Sequence, residues 1–218
     1  MIQPSVFPAA TRSSTDGIPR VFVVDDDVSV RESLELLIRS AGWEAETYPC
    51  AEEFLARQQM SQPSCLVLDI RLPDINGLDL QERFSKKHAS MPIVFITGHG
   101  DVPMTVRAMK AGAVEVLTKP LRGDELLAAV SHAMERSHAE LRRDAESAML
   151  RHRYESLTGR EREVLALVVA GRLNKQVAAE LDISEITVKA HRGKVMRKMK
   201  VRSLPDLVKA AAKLDIAA

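Results

Sequence analysis

The chain has 218 residues, 45% hydrophobic and 28% charged, with a formal net charge of +1; that is enough for two ordinary domains of globular composition. No apolar run approaches the roughly 20 residues needed to span a bilayer, and Met1 to Ile18 has neither a basic start nor an apolar core, so neither a membrane span nor a secretory signal is expected. Cys50 and Cys65 each lie in an apolar context without metal-ligand spacing, and they read as buried free thiols in a reducing, cytoplasmic compartment.

Residues 1–19, a mixture of Pro, Ser, Thr and Gly, read as a disordered tail. Between Val21 and Ser137, apolar runs of strand length alternate with segments of helical period, which predicts βα repeats around a parallel sheet. The predicted strands are Val21 to Val24, Glu44 to Tyr48, Cys65 to Leu68, Ile93 to Ile96 and Ala113 to Leu117. The first helix carries Val30, Leu34, Leu37 and Ala41 at helical spacing, with Ser29 and Glu32 as a capping box and Gly42 as its stop. A later helix begins near Asp101, with Pro103 in its first turn and Gly112 just past its end. From Asp124 to about Ser156 the chain has no Pro or Gly and high helix propensity, so the last helix of this region is expected to continue into a helical linker over 136–156, the alternative being a flexible charged tether. Residues 157–218 hold only short helices: Glu161 to Ala170, Lys175 to Leu181, Glu185 to Lys198 and Pro205 to Leu214. Gly171 ends the first, and Ser184 caps the third.

The charge is unevenly spread. Residues 1–135 hold 13 Lys+Arg against 19 Asp+Glu, whereas residues 157–218 hold 13 against 7. An acidic half joined to a basic one suggests an anion-binding module carried by a regulator of opposite sign.

The polar residues at strand ends form a set. Asp25 and Asp26 end the first strand, Asp69 the third and Thr97 the fourth, and Lys119 follows the fifth. In an open parallel sheet these ends share one edge, where ligands bind at the switch point in strand order. Three carboxylates there repel one another unless a divalent cation neutralises them, and Mg²⁺ is the simplest choice. Singly, an acidic turn, a Thr at a strand end and a Lys-Pro loop are ordinary surface features; together, at those ends, they describe a site.

The residues Val-Val-Asp25-Asp26-Asp27, Leu-Asp69-Ile-Arg-Leu-Pro73 with Gly77, Thr97-Gly98 and Lys119-Pro120 resemble the receiver domain of response regulators, over residues 20–135. The resemblance implies a flavodoxin-like (βα)5 fold. It also implies that Asp69 is the nucleophile taking a phosphoryl group from a cognate sensor histidine kinase. Asp26 and the backbone carbonyl of Arg71 would ligate Mg²⁺ with Asp69, and Asp25 would assist. Lys119 and Thr97 would each contact a phosphoryl oxygen. Asp27, one position beyond the acid pair, reads either as a helix-start charge or as a charge supporting the metal ligands from behind, and Arg71 and His99 as residues flanking the path of a hydrolytic water. One position departs from the pattern: three residues before Lys119, where receivers usually carry an aromatic switch residue, this chain has Val116.

In the basic half, Leu157-Thr-Gly-Arg-Glu161-Arg-Glu-Val-Leu, Asn174-Lys-Gln-Val-Ala and Ile183-Ser-Glu-Ile-Thr187-Val-Lys-Ala-His191 resemble the all-α LuxR-type helix-turn-helix domain. The residues support this independently. At about 100° per residue, Val188, Val195 and Met199 share one face, while Ala190, Gly193, Lys194 and Arg197 face away with Lys189 and Lys200 beside them. Residues 184–202 carry seven Lys+Arg and a single acid, which suits a phosphate backbone, and a three-residue turn separates this helix from the one before. It reads as the recognition helix, with Lys189, Ala190, Arg192, Gly193, Lys194 and Arg197 as candidate DNA contacts. His191 reads as packed. The final helix starts at Ser203 with Asp206 three residues on and bears a stripe of Leu204, Leu207, Val208, Ala211 and Leu214, which the resemblance makes a dimer surface and which fits a plain core stripe equally well.

The tandem resembles the NarL/FixJ family, closer to the FixJ side because of Thr97-Gly-His99-Gly. The resemblance implies a transcription regulator, an activator rather than an enzyme, whose partners are promoter DNA, RNA polymerase and a second copy of itself. Two other classes compete. An aspartyl-phosphate hydrolase shares the Asp and Mg²⁺ chemistry but wants a second acid near the nucleophile, where Arg71 stands here. An unregulated DNA binder with a vestigial receiver is disfavoured by five intact site positions.

Overall fold

Alternation along the apolar runs divides one sheet into two buried faces. Strands β1 (Arg20–Val24), β2 (Glu44–Tyr48), β3 (Ser64–Asp69), β4 (Ile93–Thr97) and β5 (Glu115–Thr118) are all parallel, in the order β2-β1-β3-β4-β5. Val21, Val23, Cys65, Val67, Val94 and Ile96 point to one face. They pack there against helices α1 (Val28–Ser40) and α5 (Gly123–Glu155) through Leu34, Ile38, Leu126 and Val130. The intervening Phe22, Val24, Leu66, Leu68 and Phe95 point to the other face, against α2 (Ala51–Ala56), α3 (Gly77–Ser85) and α4 (Val102–Lys110) through Phe54, Leu78, Leu80 and Ala108. Coverage on both faces is what makes β3 apolar at nearly every position. The computed structural model describes residues 18–57, 62–73, 75–85, 91–98 and 102–216. The expected tail, except for Ile18 and Pro19, and the helix start at Asp101 lie outside them.

Helix ends follow the glycines. Gly42, Gly112 and Gly171 have φ of 90°, 94° and 84°. At each one the glycine N–H bonds three residues back and the next N–H five back, as in Trp43 N to Ile38 O and Arg172 N to Leu167 O. This is the Schellman stop, whose left-handed residue favours glycine. It also corrects the expected start of β5: Ala113 N–H donates to Ala108 O, closing α4, so the ladder begins later, at Glu115. The α1 cap is corrected as well. Asp27 rather than Ser29 is the N-cap, because its carboxylate accepts both the N–H and the hydroxyl of Ser29, at 2.8 and 2.6 Å.

The chain divides into two compact units, Met1–Leu141 and Arg142–Ala218. The helical linker is present as part of the 33-residue α5. In the first unit α5 is buried as far as Ser137, whose hydroxyl accepts from Ser64 N–H at 3.1 Å. In the second, its Leu150 and Tyr154 pack against a core that includes Val164, Leu165, Val177, Val188, Val195, Met199 and Leu207. That core is made by α6 (Gly159–Val169), α7 (Asn174–Leu181), α8 (Glu185–Met199) and α9 (Leu204–Lys213). Ser184 and Ser203 cap α8 and α9 through Thr187 N–H and Asp206 N–H. Cys65 is buried, where burial pushes its thiol up, but Cys50 is only half-buried, contrary to expectation. Among the described residues no helix is long and apolar enough to cross a membrane.

Candidate functional site

The strand order reverses between β1 and β3, and the acidic residues gather at that point. Asp25 directly follows β1 and Asp69 closes β3; both are buried, while Asp26 is exposed. One carboxylate oxygen from each of the three lies within 4.8 Å of the others. Lys119, just past β5, bridges two of them, its Nζ lying 2.7 Å from Asp25 Oδ2 and 2.7 Å from Asp69 Oδ2. Its N–H donates to Thr97 O at 2.8 Å, which joins the β5 exit to the end of β4, where Thr97 is fully buried. The expected residues of four strand ends are thus brought together.

Burial raises the Asp25 pKa, with the nearby Asp69 charge adding to the effect and the Lys119 hydrogen bond opposing it. Burial works to lower the Lys119 pKa, but its bonds to the two aspartates outweigh that and hold it above the ordinary lysine value. Lys119 therefore stays a cation, balancing part of a cluster that is otherwise short of positive charge. Three hard carboxylate oxygens at this spacing suit a small divalent cation of the Mg²⁺ type.

Backbone donors hold the carboxylates in place. Arg71 N–H donates to Asp69 Oδ1 at 2.9 Å, and Asp27 N–H to Asp25 Oδ1 at 2.9 Å. A further residue, not evident from sequence, acts here: Arg31 on α1 donates Nη1 to the carbonyls of Asp25 and Asp26 at 2.7 and 2.9 Å, clamping the acidic loop onto its helix. Its targets are main-chain oxygens, which leave no motif. Of the two readings of Asp27, the structure shows the helix-start charge: it is the N-cap of α1. His99 lies outside the described residues. Val116 is half-buried beside Phe95 and packs on the cluster of Phe22, Phe54 and Ala108.

Gly77 lies against the end of the strand that carries Asp69. A Cβ there would stand 2.7 Å from Asp69 O and 3.0 Å from Ile70 Cα, both backbone atoms. Gly77→Ala is therefore expected to shift the end of β3 and to cost about 1–3 kcal/mol, the usual range for overpacking. Denaturant unfolding of the variant checks this, and an unchanged midpoint would contradict the close approach.

The basic surface lies on α8. Val188, Val195 and Met199 are buried, whereas Lys189, Ala190, Gly193, Lys194 and Arg197 are exposed, as the wheel predicted. Among the described residues Lys189 makes an exposed pair with Glu185 at 3.3 Å, worth little in water and readily exchanged. Arg192 differs from the rest: it is half-buried and donates to Asn174 Oδ1 at 3.1 Å, tying α8 to α7. Lys198, one of the seven basic residues, is also engaged internally. Its Nζ is 2.6 Å from the buried Glu161 Oε2 and 3.0 Å from Ser156 O. Asp182, at φ 52°, makes the left-handed turn between α7 and α8. His191 is half-buried, with its Nδ1 enclosed.

Comparison with known proteins matches residues 21–131 to the response regulator receiver domain and residues 155–211 to the bacterial regulatory proteins of the luxR family. Nodulation protein W of Bradyrhizobium diazoefficiens is 50% identical over 95% of this chain and 91% of its own length. The response regulator TodT of Pseudomonas putida is 44% identical over 97% and 94%, and the transcriptional regulatory protein FixJ of Rhizobium meliloti is 42% identical over 88% and 94%. Among solved structures, the response regulator StyR is 49% identical with a TM-score of 0.80, over 90% of this chain and all of that one.

Proposed function

This chain belongs to the NarL/FixJ family of response regulators, with a receiver and a LuxR-type DNA-binding domain, and on that premise we propose that phosphorylation of Asp69 switches DNA binding by α8. The observation that carries the proposal is the bridging of Asp25 and Asp69 by Lys119 at the point where the strand order reverses. The protein is a regulator, not an enzyme. We assign the receiver to residues 20–135, the linker to 136–156 and the DNA-binding domain to 157–218, in a protein that works in the cytoplasm.

The donor is a phosphohistidine of the cognate sensor kinase. An Asp69 carboxylate oxygen attacks phosphorus, the N–P bond breaks, and its electron pair returns to the imidazole. Lys119 moves from the carboxylates to the incoming phosphoryl oxygens, and the Thr97 hydroxyl takes another. Asp25, Asp26, Asp69 and the Arg71 carbonyl would hold Mg²⁺, which supplies neutralisation of the transferring group's charge. Arg31 keeps the acid pair in position through its carbonyls. With Val116 unable to act as an aromatic switch, the change at Thr97 is passed on through movement of α4. The phosphorylated form pairs with a second copy, binds promoter DNA and recruits RNA polymerase as an activator.

On the DNA side, Lys189 in the N-terminal half of α8 reads bases and Arg197 near its end contacts phosphate. Lys189→Ala is expected to lose about 1–3 kcal/mol on a selected site and to relax sequence preference. Arg197→Ala weakens all sequences alike and reduces the salt slope by about one. Titrations of duplexes selected from a random pool, at several salt concentrations, check both. Unchanged affinity in both variants would remove α8 as the recognition helix.

A further inference from the structure

The most exposed large apolar side chain among the described residues is Ile186, at 80%. Scattered exposed apolar residues are ordinary, so exposure alone says little; the position of this one is informative. It lies in the first turn of α8, a helix whose own apolar face is filled by Val188, Val195 and Met199. At about 100° per residue, Ile186 falls within roughly 40° of Ala190, Gly193 and Arg197, on the side opposite that core. The stripe thus runs from a branched alkyl group, past two residues with little or no side chain, to a guanidinium, with Lys189 beside it. Gly193 has nothing within 4 Å of where a Cβ would stand, so it faces open space. The β-branched Ile186 makes no core contact there and has lower helix propensity than Ala.

We infer that Ile186 is a specificity-determining residue that reads a thymine through its 5-methyl group in the major groove. The inference rests on the reading of α8 as the recognition helix. Among the base edges of the major groove, the thymine methyl is the apolar one, and it is matched by an alkyl side chain at the N-terminal end of a docked helix. Small residues at 190 and 193 allow the backbone to come close enough for a short branched side chain to touch a base edge. A polar reader at position 186 would distinguish bases by hydrogen bonds; Ile distinguishes them by one methyl group.

Replacing thymine by uracil removes that methyl and leaves pairing intact. Duplex sites are first selected from a random pool with the full-length protein treated with a small phosphodonor and Mg²⁺, and uracil is then substituted one thymine at a time for the parent, Ile186→Ala and Lys189→Ala under the same conditions. For the parent, one position per half-site should lose about fourfold in affinity, the value of burying one methyl group. With Ile186→Ala, thymine and uracil at that position should bind equally, while Lys189→Ala should retain the fourfold difference. Loss on uracil substitution of the same size in the parent and Ile186→Ala, or no sensitive thymine in the parent, overturns the inference while leaving the recognition helix intact. Failure of the parent to enrich any sequence overturns both.

Discussion

Asp69→Asn is expected to give a protein that folds and binds DNA weakly but takes up no stable phosphoryl group from a small phosphodonor with Mg²⁺. Asn keeps the shape of the side chain and can still accept the Arg71 N–H bond made to Oδ1 in the parent. It lacks the anionic oxygen that attacks phosphorus, and it removes one charge from the three-carboxylate cluster. Lys119 keeps Asp25 as a partner at 2.7 Å, so no buried charge is left unpaired and folding should be spared. Intact-protein mass spectrometry reads the outcome: an added phosphoryl mass on the parent and none on the variant. A variant phosphorylated as fully as the parent would place the acceptor elsewhere.

The second large effect is expected in the DNA-binding domain, at Glu161. Its carboxylate accepts from Thr158 N–H at 2.9 Å within a complete capping box, and it also receives Lys198 from α8 at 2.6 Å. One buried side chain therefore starts α6 and fixes the C-terminal part of the recognition helix to it. Glu161→Ala keeps the Thr158 side-chain cap on the residue 161 N–H but loses the reciprocal bond from Thr158 N–H, and it leaves Lys198 without its carboxylate. Because Lys198 is 36% exposed and can turn to water, the cost is about 2 kcal/mol rather than that of a fully buried pair. Hydrogen exchange of α6 and α8 amides in the full chain should quicken accordingly, roughly thirtyfold where exchange goes through unfolding of this domain.

The pH dependence of that pair has a definite sign. The Lys198 hydrogen bond, with help from Thr158, holds the Glu161 pKa below its ordinary value of 4.5. A group depressed in the folded state stabilises above its unfolded pKa and loses that contribution as pH falls through the folded pKa. Glu161→Gln, which can still cap α6, should therefore be less stable than the parent by a constant amount from pH 7 down to about 5.5. The difference should shrink below about pH 4.5. A gap that is unchanged at pH 3.5 would mean that the charge on Glu161 contributes nothing.

Much of the fold could be read from the sequence because its signals are periodic and punctuated. The strand runs alternate between two buried faces, and Gly42, Gly112 and Gly171 all proved to be left-handed helix stops. Errors arose where neighbouring signals competed. Ser29 had the look of a cap, but the stronger acceptor Asp27 lies two residues earlier and captures the Ser29 hydroxyl itself. Ala113 looked like strand, but its N–H was already committed to the end of α4. At the candidate site, the parallel sheet made convergence of Asp25, Asp69 and Lys119 predictable from order alone. Arg31 was not, since it works through carbonyls that any residue would offer. On α8 the count of basic residues overstated the free surface, because Arg192 turns to Asn174 and Lys198 to Glu161, partners that lie on other helices. Ile186 was hidden for the opposite reason: a single apolar residue on the basic face of α8, away from Val188, Val195 and Met199, gives no periodic signal.

The central claim is that phosphoryl transfer to the receiver changes DNA binding by α8. Its most direct test is the affinity of the full-length parent for a selected promoter duplex, measured with and without a small phosphodonor and Mg²⁺ at one fixed salt concentration. A tenfold gain requires only about 1.4 kcal/mol of preference for the DNA-binding arrangement, so a rise of at least that size is expected, absent when Mg²⁺ is withheld and absent in Asp69→Asn. Equal affinity of the phosphorylated and unphosphorylated parent, with phosphorylation verified by mass in the same sample, would contradict the account.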